Sequence, residues 1–393
     1  MIRHIFTLLW NRRRANGLLI LEIFLAYVVL FAVGTIGTSL WSNYRQPLGF
    51  RYDNVWEVDF SSGTQSKAER YVTFEQVLAR LRTTPGVLAV APTASNTPFS
   101  FNDSRTSIDD GALRDINYYF VGPELREVVG LKLTAGRWFD QRDATPGPHA
   151  PLVIDEQLQR ALYPRGESAV GKLVPLNGQA KQRVIGVVSA YRTDGELKEV
   201  HASMFSPLMP ADSATHEVRV LLVRVAPGSG AALEKRLADD IRRIGPGWTS
   251  TIRTLPEMHR SQIKVVITRP LLLSVMSVFL LINVALGLFG VLWLAISARR
   301  AELGVRRALG APAGAISRLI VGETLALTTF GLVLGLLVAV QFPLLGVWGE
   351  RTSVYLTAMA LATGALYLLA IICALYPGRL AAGIQPAVAL REE

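Results

Sequence analysis

Apolar and polar positions separate along this chain into four long hydrophobic blocks and one long stretch of mixed composition. The blocks run 17–40, 270–297, 319–347 and 354–376. Each reaches the roughly 20 residues that a helix needs to cross a ~30 Å hydrocarbon core. The mixed stretch, 41–264, separates the first block from the second. Its length suits one or two domains of about 100–200 residues. The pattern predicts a membrane α-helical protein with four transmembrane helices and a large α+β domain outside the membrane, between the first and second helices. The expected division is 1–16 and 17–40 for the N-terminal segment and first helix, then 41–264 for the outer domain. A second helix at 265–298, a polar loop at 299–315 and a third helix at 316–348 follow. An outer turn at 349–353, a fourth helix at 354–376 and a tail at 377–393 complete it.

Within the mixed stretch the periods shorten. Val55, Glu57 and Asp59 alternate with Trp56, Val58 and Phe60, predicting a strand just after the first helix. Apolar residues at helical spacing over 73–81 predict a helix, with Thr73 and Gln76 placed as its capping box. Pro85-Gly86 breaks the chain before a strand at 87–90. Short apolar runs at 152–154, 184–188 and 218–225 predict further strands, and 231–244 a helix ended by Gly245-Pro246. This mixed order predicts two α+β lobes, the second inserted near 101–215. Trp56, Phe60, Trp138, Phe139 and Phe205 are expected in the core.

Arginines orient the helices, because cationic residues near helix ends stay on the cytoplasmic side. Arg3, Arg12, Arg13 and Arg14 precede the first helix; Arg299, Arg300, Arg306, Arg307 and Arg318 fill the loop between the second and third; Arg379 and Arg391 follow the fourth. Threading four helices puts all three clusters on one face. Both termini are therefore expected in the cytoplasm and the large domain outside. The first block exceeds the 7–15 residues of a signal peptide's apolar region and no A-x-A site follows, so it is read as a retained helix. Glu22, near its cytoplasmic end, is expected to reach the interface rather than a neighbouring helix.

The net charge of +10 comes largely from these helix-end arginines, which suit anionic membrane lipid better than nucleic acid. The single cysteine, Cys373, lies in the last apolar block, leaving the outer domain without disulfides. Catalytic patterns are thin. Gly166 to Lys172 spells G-x-x-x-x-G-K, but Leu173 stands where a phosphate loop needs Ser or Thr for Mg²⁺, and the surrounding pattern is extended with an Asn177-Gly178 turn. Five histidines (His4, His149, His201, His216, His259) are scattered, and His216-Glu217 lacks the second histidine of a zinc protease motif. Ser229 lacks the spacing of a nucleophile elbow. The chain reads as no enzyme, with no catalytic or metal-binding residues and no cofactor of its own.

The loop at 299–311 carries more information. Glu302 and Arg306 form an i,i+4 pair in the favourable orientation, and Gly310 with Pro312 ends the segment. A purely topogenic loop has no need of that spacing, so the segment is read as a short surface helix held by another protein. Its wording, RRAELGVRRALGA, resembles the coupling segment of the FtsX/MacB-type ABC transporter permease family. Arg300, Glu302, Gly304, Arg306, Ala308, Leu309 and Gly310 fall on the family's pattern. Glu323 is similar to the family's acidic residue near the start of the third helix, while Gly331 and Gly335 have the spacing of a close helix contact. In the tail, Pro377, Ala381, Pro386, Ala389, Leu390 and Arg391 match, whereas Gln385 replaces a frequent acid. Pieces of the outer stretch, such as LTAGRWFD, resemble a MacB-type periplasmic core.

The resemblance implies a split permease without a fused ATPase, in a bacterial inner membrane. ATP and Mg²⁺ would be bound by a separate ABC ATPase, and a second permease subunit, identical or paralogous, would pair with this one. Arg299, Arg300, Glu302, Gly304, Arg306, Arg307, Leu309 and Gly310 would receive the ATPase. Glu22, Asn283, Glu323, Gly331 and Gly335 would be the polar or packing positions of the bundle. Motion of the outer domain by mechanotransmission would drive efflux or export of a periplasmic substrate, with a periplasmic adaptor and outer-membrane channel as further partners. The alternative is a transmembrane sensor or regulator with no cargo. A secondary transporter fits poorly, since it needs repeat symmetry and polar sites at the membrane midplane.

Overall fold

The computed structural model describes residues 13–63, 65–94, 96–102, 104–108, 113–144, 147–176, 180–208, 218–299, 304–306, 308–309 and 312–382. Two compact units account for them, Asn43–Val266 and the helical residues on either side of it.

The helical unit contains the apolar spans. Helix α1 covers Arg13–Tyr44. Four short helices belong to the outer unit: α2 Lys67–Arg82, α3 Leu125–Val129, α4 Glu156–Leu162 and α5 Ala231–Ile244. Then come α6 Leu255–Ser297, α7 Ala313–Ala339, the short α8 Gln341–Leu345 and α9 Thr352–Ala382. Among the described residues, four spans are long and apolar enough to cross a membrane: α1, α6, α7 with its extension α8, and α9. Helix α6 differs from the expectation of a start near 265. It begins at Leu255 and runs through Pro270. The missing Pro270 N–H removes a single ladder bond and the helix continues past it, with Ser274 Oγ donating to the Pro270 carbonyl at 2.8 Å one turn later. The early part is amphipathic rather than apolar, with Leu255 and Met258 buried in the outer unit's core, so hydropathy alone misses it.

The strands of the outer unit are β1 Val55–Ser61, β2 Val87–Thr93, β3 Arg105–Ile108, β4 Leu113–Val121, β5 Leu133–Gly136 and β6 Pro151–Asp155. They continue as β7 Leu173–Val174, β8 Gln182–Val188, β9 Ser203–Pro207, β10 Val220–Val225 and β11 Thr249–Thr254. All join one sheet in the order β11-β1-β10-β2-β4-β9-β6-β8-β5, with β3 on β4 and β7 on β8. The two expected lobes are therefore halves of one sheet. Among the described residues they meet at the strand pair Thr93↔Val121. One half takes its strands from 55–93 and 220–254, the other from 105–207.

The first half covers one face with α2 and α5, while Leu125, Val128 and Val129 of α3, from the second half, pack with Val55, Ala91 and Leu222 of the first. Trp56, Val58 and Phe60 of β1 pack with Val77 and Leu81 of α2 and with Leu237 and Ile241 of α5. The i,i+4 spacing of Leu233, Leu237 and Ile241 makes this the buried stripe of α5. Opposite, Val55 and Leu222 enter a second cluster with Trp138, Phe139 and Phe205. Both faces of β1 are thus buried, and the five aromatic residues expected in the core are all there. The predicted cap of α2 is wrong. Ser66 caps the helix, its hydroxyl accepting from the Glu69 N–H while the Glu69 carboxylate accepts from the Ser66 N–H at 2.9 Å. Thr73 sits buried in the middle of the helix, where a turn of charged residues had hidden the true start.

Candidate functional site

The polar loop after α6 is where a partner was expected. Residues 304–306 are helical and the Leu309 N–H donates to the Val305 carbonyl at 3.0 Å, which continues the helical turn. Gly304 is buried, while Leu309 is 83% and Val305 42% exposed. The turn thus buries its glycine and leaves Leu309 exposed. Arg306 is exposed on the same turn. Arg300, Glu302, Arg307 and Gly310 lie outside the described residues, as do 1–12 and the tail motif at 383–393.

Arg299 behaves differently from the surface arginine that was expected. Its Nη1 donates to both Glu323 carboxylate oxygens, at 3.1 and 3.4 Å, and both side chains are only about one-fifth exposed. Arg299 lies two residues past the end of α6 and Glu323 lies on α7, so the pair holds the base of the loop to the bundle. Sequence spacing offered no signal for it, because the partners are brought together only when α6 and α7 pack. Leu292, Ile316, Ile320 and Ala374 form an apolar cluster joining α6, α7 and α9.

Helix α1 is the seam of the bundle. A Cβ on Gly331 would come 2.6 Å from Ile23 Cγ2, and one on Gly335 would enter the Tyr27 ring. These two glycines of α7 let α1 approach closely. Gly34 does the same against Ala358 of α9, where a Cβ would stand 3.4 Å from the Ala358 Cβ. Glu22 faces the neighbouring helix α6 instead of the expected interface: a Cβ on Gly287 would be 2.7 Å from its Oε2. The lack of a side chain at Gly287 makes the room that a carboxylate needs there. Asn283 donates to the Phe279 carbonyl of its own helix at 2.9 Å, and Thr324 and Thr328 likewise donate within α7. At the other end of α1, Ser39 Oγ donates to Glu350 Oε1 at 2.5 Å in the turn before α9.

A further cluster, in the outer unit, was not visible in the sequence. Arg192 is 5% exposed. Its Nη1 donates to the carbonyls of Asn43 and Gln46, at 3.0 and 2.8 Å, and its Nη2 to those of Glu196 and Lys198, at 3.1 and 3.0 Å. Asn43 belongs to the last turn of α1, whose final carbonyls have no helical donor. From the same loop, the Glu196 carboxylate meets His259 Nε2 of α6 at 2.8 and 2.9 Å. Gly195 has φ +81, and a Cβ there would lie 2.8 Å from Gln262 Oε1, also of α6. One loop therefore ties the segment entering the outer unit to the segment leaving it.

The G-x-x-x-x-G-K stretch is a structural turn. Gly166 and Gly171 have φ +81 and +88, and the chain runs on into the strand β7 rather than into a helix. Lys172 is occupied by the Glu167 carboxylate and lies 4.0 Å over the Tyr163 ring.

Comparison with known proteins agrees with this architecture. The family model for the MacB-like periplasmic core domain matches residues 17–240, and that for the FtsX-like permease C-terminal region matches residues 274–386. A protein of Paracoccus denitrificans named macrolide export ATP-binding/permease protein MacB 1/2 is 28% identical over 341 residues, covering 84% of this chain and 47% of that protein. The macrolide export ATP-binding/permease protein MacB of Acinetobacter baylyi is 25% identical over 378 residues, covering 93% of this chain and 53% of its own length. The chain thus spans about half the length of the curated relatives it matches. The crystal structure of the periplasmic region of MacB from Actinobacillus actinomycetemcomitans aligns at 20% identity with a TM-score of 0.38, over 54% of this chain and 93% of that one. With the core-domain match alone taking in more than half of its 393 residues, and the permease region following it, the chain belongs to the MacB/FtsX-type permease family of ABC transporters.

Proposed function

We propose that this chain is the membrane subunit through which a separate ABC ATPase, holding ATP and Mg²⁺, moves an outer α+β domain by mechanotransmission. The observation that carries this reading is the turn at 304–309, which buries Gly304 and leaves Leu309 83% exposed beside Arg306. In this reading the loop and both termini lie in the cytoplasm, the outer unit lies in the periplasm, and the membrane is a bacterial inner membrane. ATP-driven movement of the ATPase displaces the turn, and the Arg299–Glu323 pair passes the displacement to α6 and α7. The loop around Arg192 receives motion from α1 and α6 together, because it bonds to both. Asn283, Thr324 and Thr328 bond to backbone within their own helices, which favours transmitted motion over a polar conduction path.

A second permease subunit, identical or paralogous, completes the assembly. The cargo is a periplasmic substrate destined for efflux or export, with an adaptor and outer-membrane channel as the route. The relatives of Paracoccus and Acinetobacter are named for macrolide export, which makes an apolar antibiotic the first cargo to try.

The test is co-purification from native cells in mild detergent, read by mass spectrometry, with Leu309→Asp and Arg306→Glu variants. Losing a buried leucine contact costs about 2 kcal/mol, or ~30-fold in affinity, so Leu309→Asp should shed the ATPase. Recovery of an ATPase lost from the variants supports the reading. An ATPase retained equally by both variants, or absent from the native chain, refutes it. If the ATPase is present but antibiotic export is unaffected by deleting the chain, the role is that of a regulator without cargo.

A further inference from the structure

The outer unit contains a half-open cavity of about 530 Å³, walled on one side by the segment 46–51 that follows α1. Its charged lining consists of Arg51, Lys132, Arg160, Arg192, Asp155 and Glu156, four cations against two carboxylates. Most of these have partners already. Arg192 is committed to four carbonyls, and Glu156 lies 3.9 Å from Arg160. The Asp155 carboxylate is buried and accepts from the Leu158 N–H at 2.7 Å. Burial pushes its pKa up to about 7, which weakens its negative charge near neutral pH.

Arg51 and Lys132 remain. Both are exposed, and among the described residues neither side chain meets an acid or a carbonyl. Their backbones hold them at the same rim. The Arg51 N–H donates to the Val129 carbonyl at 2.7 Å, and the Arg51 stem lies over Gly130, where a Cβ would be 3.4 Å from its Cδ. Two unpaired cations at the mouth of a concave, net-positive site leave an anion as the missing partner, and Arg with Lys suits a phosphate. The chain also limits where this site can be. Arg51 follows Tyr44, the last residue of α1, by seven residues, a reach of at most ~25 Å.

We propose that this cavity binds a phosphate-bearing anion through Arg51 and Lys132. A lipid headgroup at the outer membrane surface and a soluble phosphate share that chemistry, and the experiment separates them. The full-length chain in neutral detergent is equilibrated with phosphatidylglycerol or phosphatidylcholine, and bound lipid is counted by native mass spectrometry. Arg51→Gln with Lys132→Gln is compared with Lys235→Gln and Arg236→Gln, which are exposed cations of α5 away from the cavity. The first pair should lower phosphatidylglycerol retention about 25-fold, roughly fivefold per cation, with phosphatidylcholine and the control pair unaffected. Equal retention by both pairs overturns the proposal, and so does a lack of preference for phosphatidylglycerol when phosphate gives no stabilisation that the first pair abolishes. Inorganic phosphate is titrated in parallel by thermal shift. Stabilisation by phosphate that the first pair abolishes, with no lipid preference, keeps the anion site and overturns the lipid source.

Discussion

Replacing Arg192 with alanine should destabilise the outer unit far more than its position in a loop suggests. The guanidinium makes four hydrogen bonds to carbonyls from a 5% exposed position. Bonds to a charged donor contribute about 1.5–3 kcal/mol each, so the gross loss is about 6–12 kcal/mol. Water recovers part of this, because the 530 Å³ cavity adjoins Arg192 and admits solvent to the abandoned carbonyls. A net loss of about 3–5 kcal/mol remains. One kcal/mol shifts the melting temperature of a domain of 150–250 residues by about 2–4 °C, so the expected drop is about 10 °C. Arg192→Lys keeps the charge but offers one nitrogen where two worked, and should lose about half as much. The assay is tryptophan fluorescence melting of the full chain in detergent, since Trp56, Trp138 and Trp248 are buried in the outer unit's cores. Arg242→Ala, an exposed arginine of α5, is the control. A drop for Arg192→Ala no larger than the control's would refute the idea that this arginine holds the chain segment after α1.

Two further predictions concern packing and titration. Gly335→Leu should sharply reduce monodisperse protein on size-exclusion chromatography, because its side chain would occupy the volume of the Tyr27 ring; overpacking of this kind costs about 1–3 kcal/mol or more. Tyr27→Ala in the same chain should restore part of the yield, and an unchanged yield for Gly335→Leu alone would contradict the close seam. Asp155, with a pKa pushed up to about 7, binds its proton more tightly when folded than when unfolded. Its contribution is therefore fully present below the unfolded value of about 3.9 and is lost as pH rises to about 7, a fall of about 4 kcal/mol. Asp155→Asn keeps a capping oxygen for the Leu158 N–H and should flatten the melting temperature between pH 4 and 7 relative to the native chain. Parallel curves for the two proteins would show that Asp155 does not titrate in this window.

The strengths and gaps of sequence reading follow the range of the forces involved. Strands β1, β2, β6 and β8 and helix α5 announce themselves, because a period of two or of 3.6 residues records which face a local segment buries. The start of α6 is hidden because its first turns bury residues against the outer unit while keeping a charged outer face. The cap of α2 was misplaced by one plausible Thr-x-x-Gln spacing when Ser-x-x-Glu stood just ahead of it.

Of the features relevant to function, the sequence alone determined the four apolar spans, the long domain between the first two, and the loop that its motif made conspicuous. Hydropathy and charge decide these, since solvation of a segment depends on its own composition. Tertiary structure decided the rest. It paired Arg299 with Glu323, seated Tyr27 on Gly335, and turned Glu22 towards Gly287. It also brought Arg192 to the carbonyls of Asn43 and Gln46, nearly 150 residues earlier in the chain. Hydrogen bonds and ion pairs act over a few ångströms and leave no periodic trace, so partners this distant in sequence are fixed only once the sheet and the helices have packed.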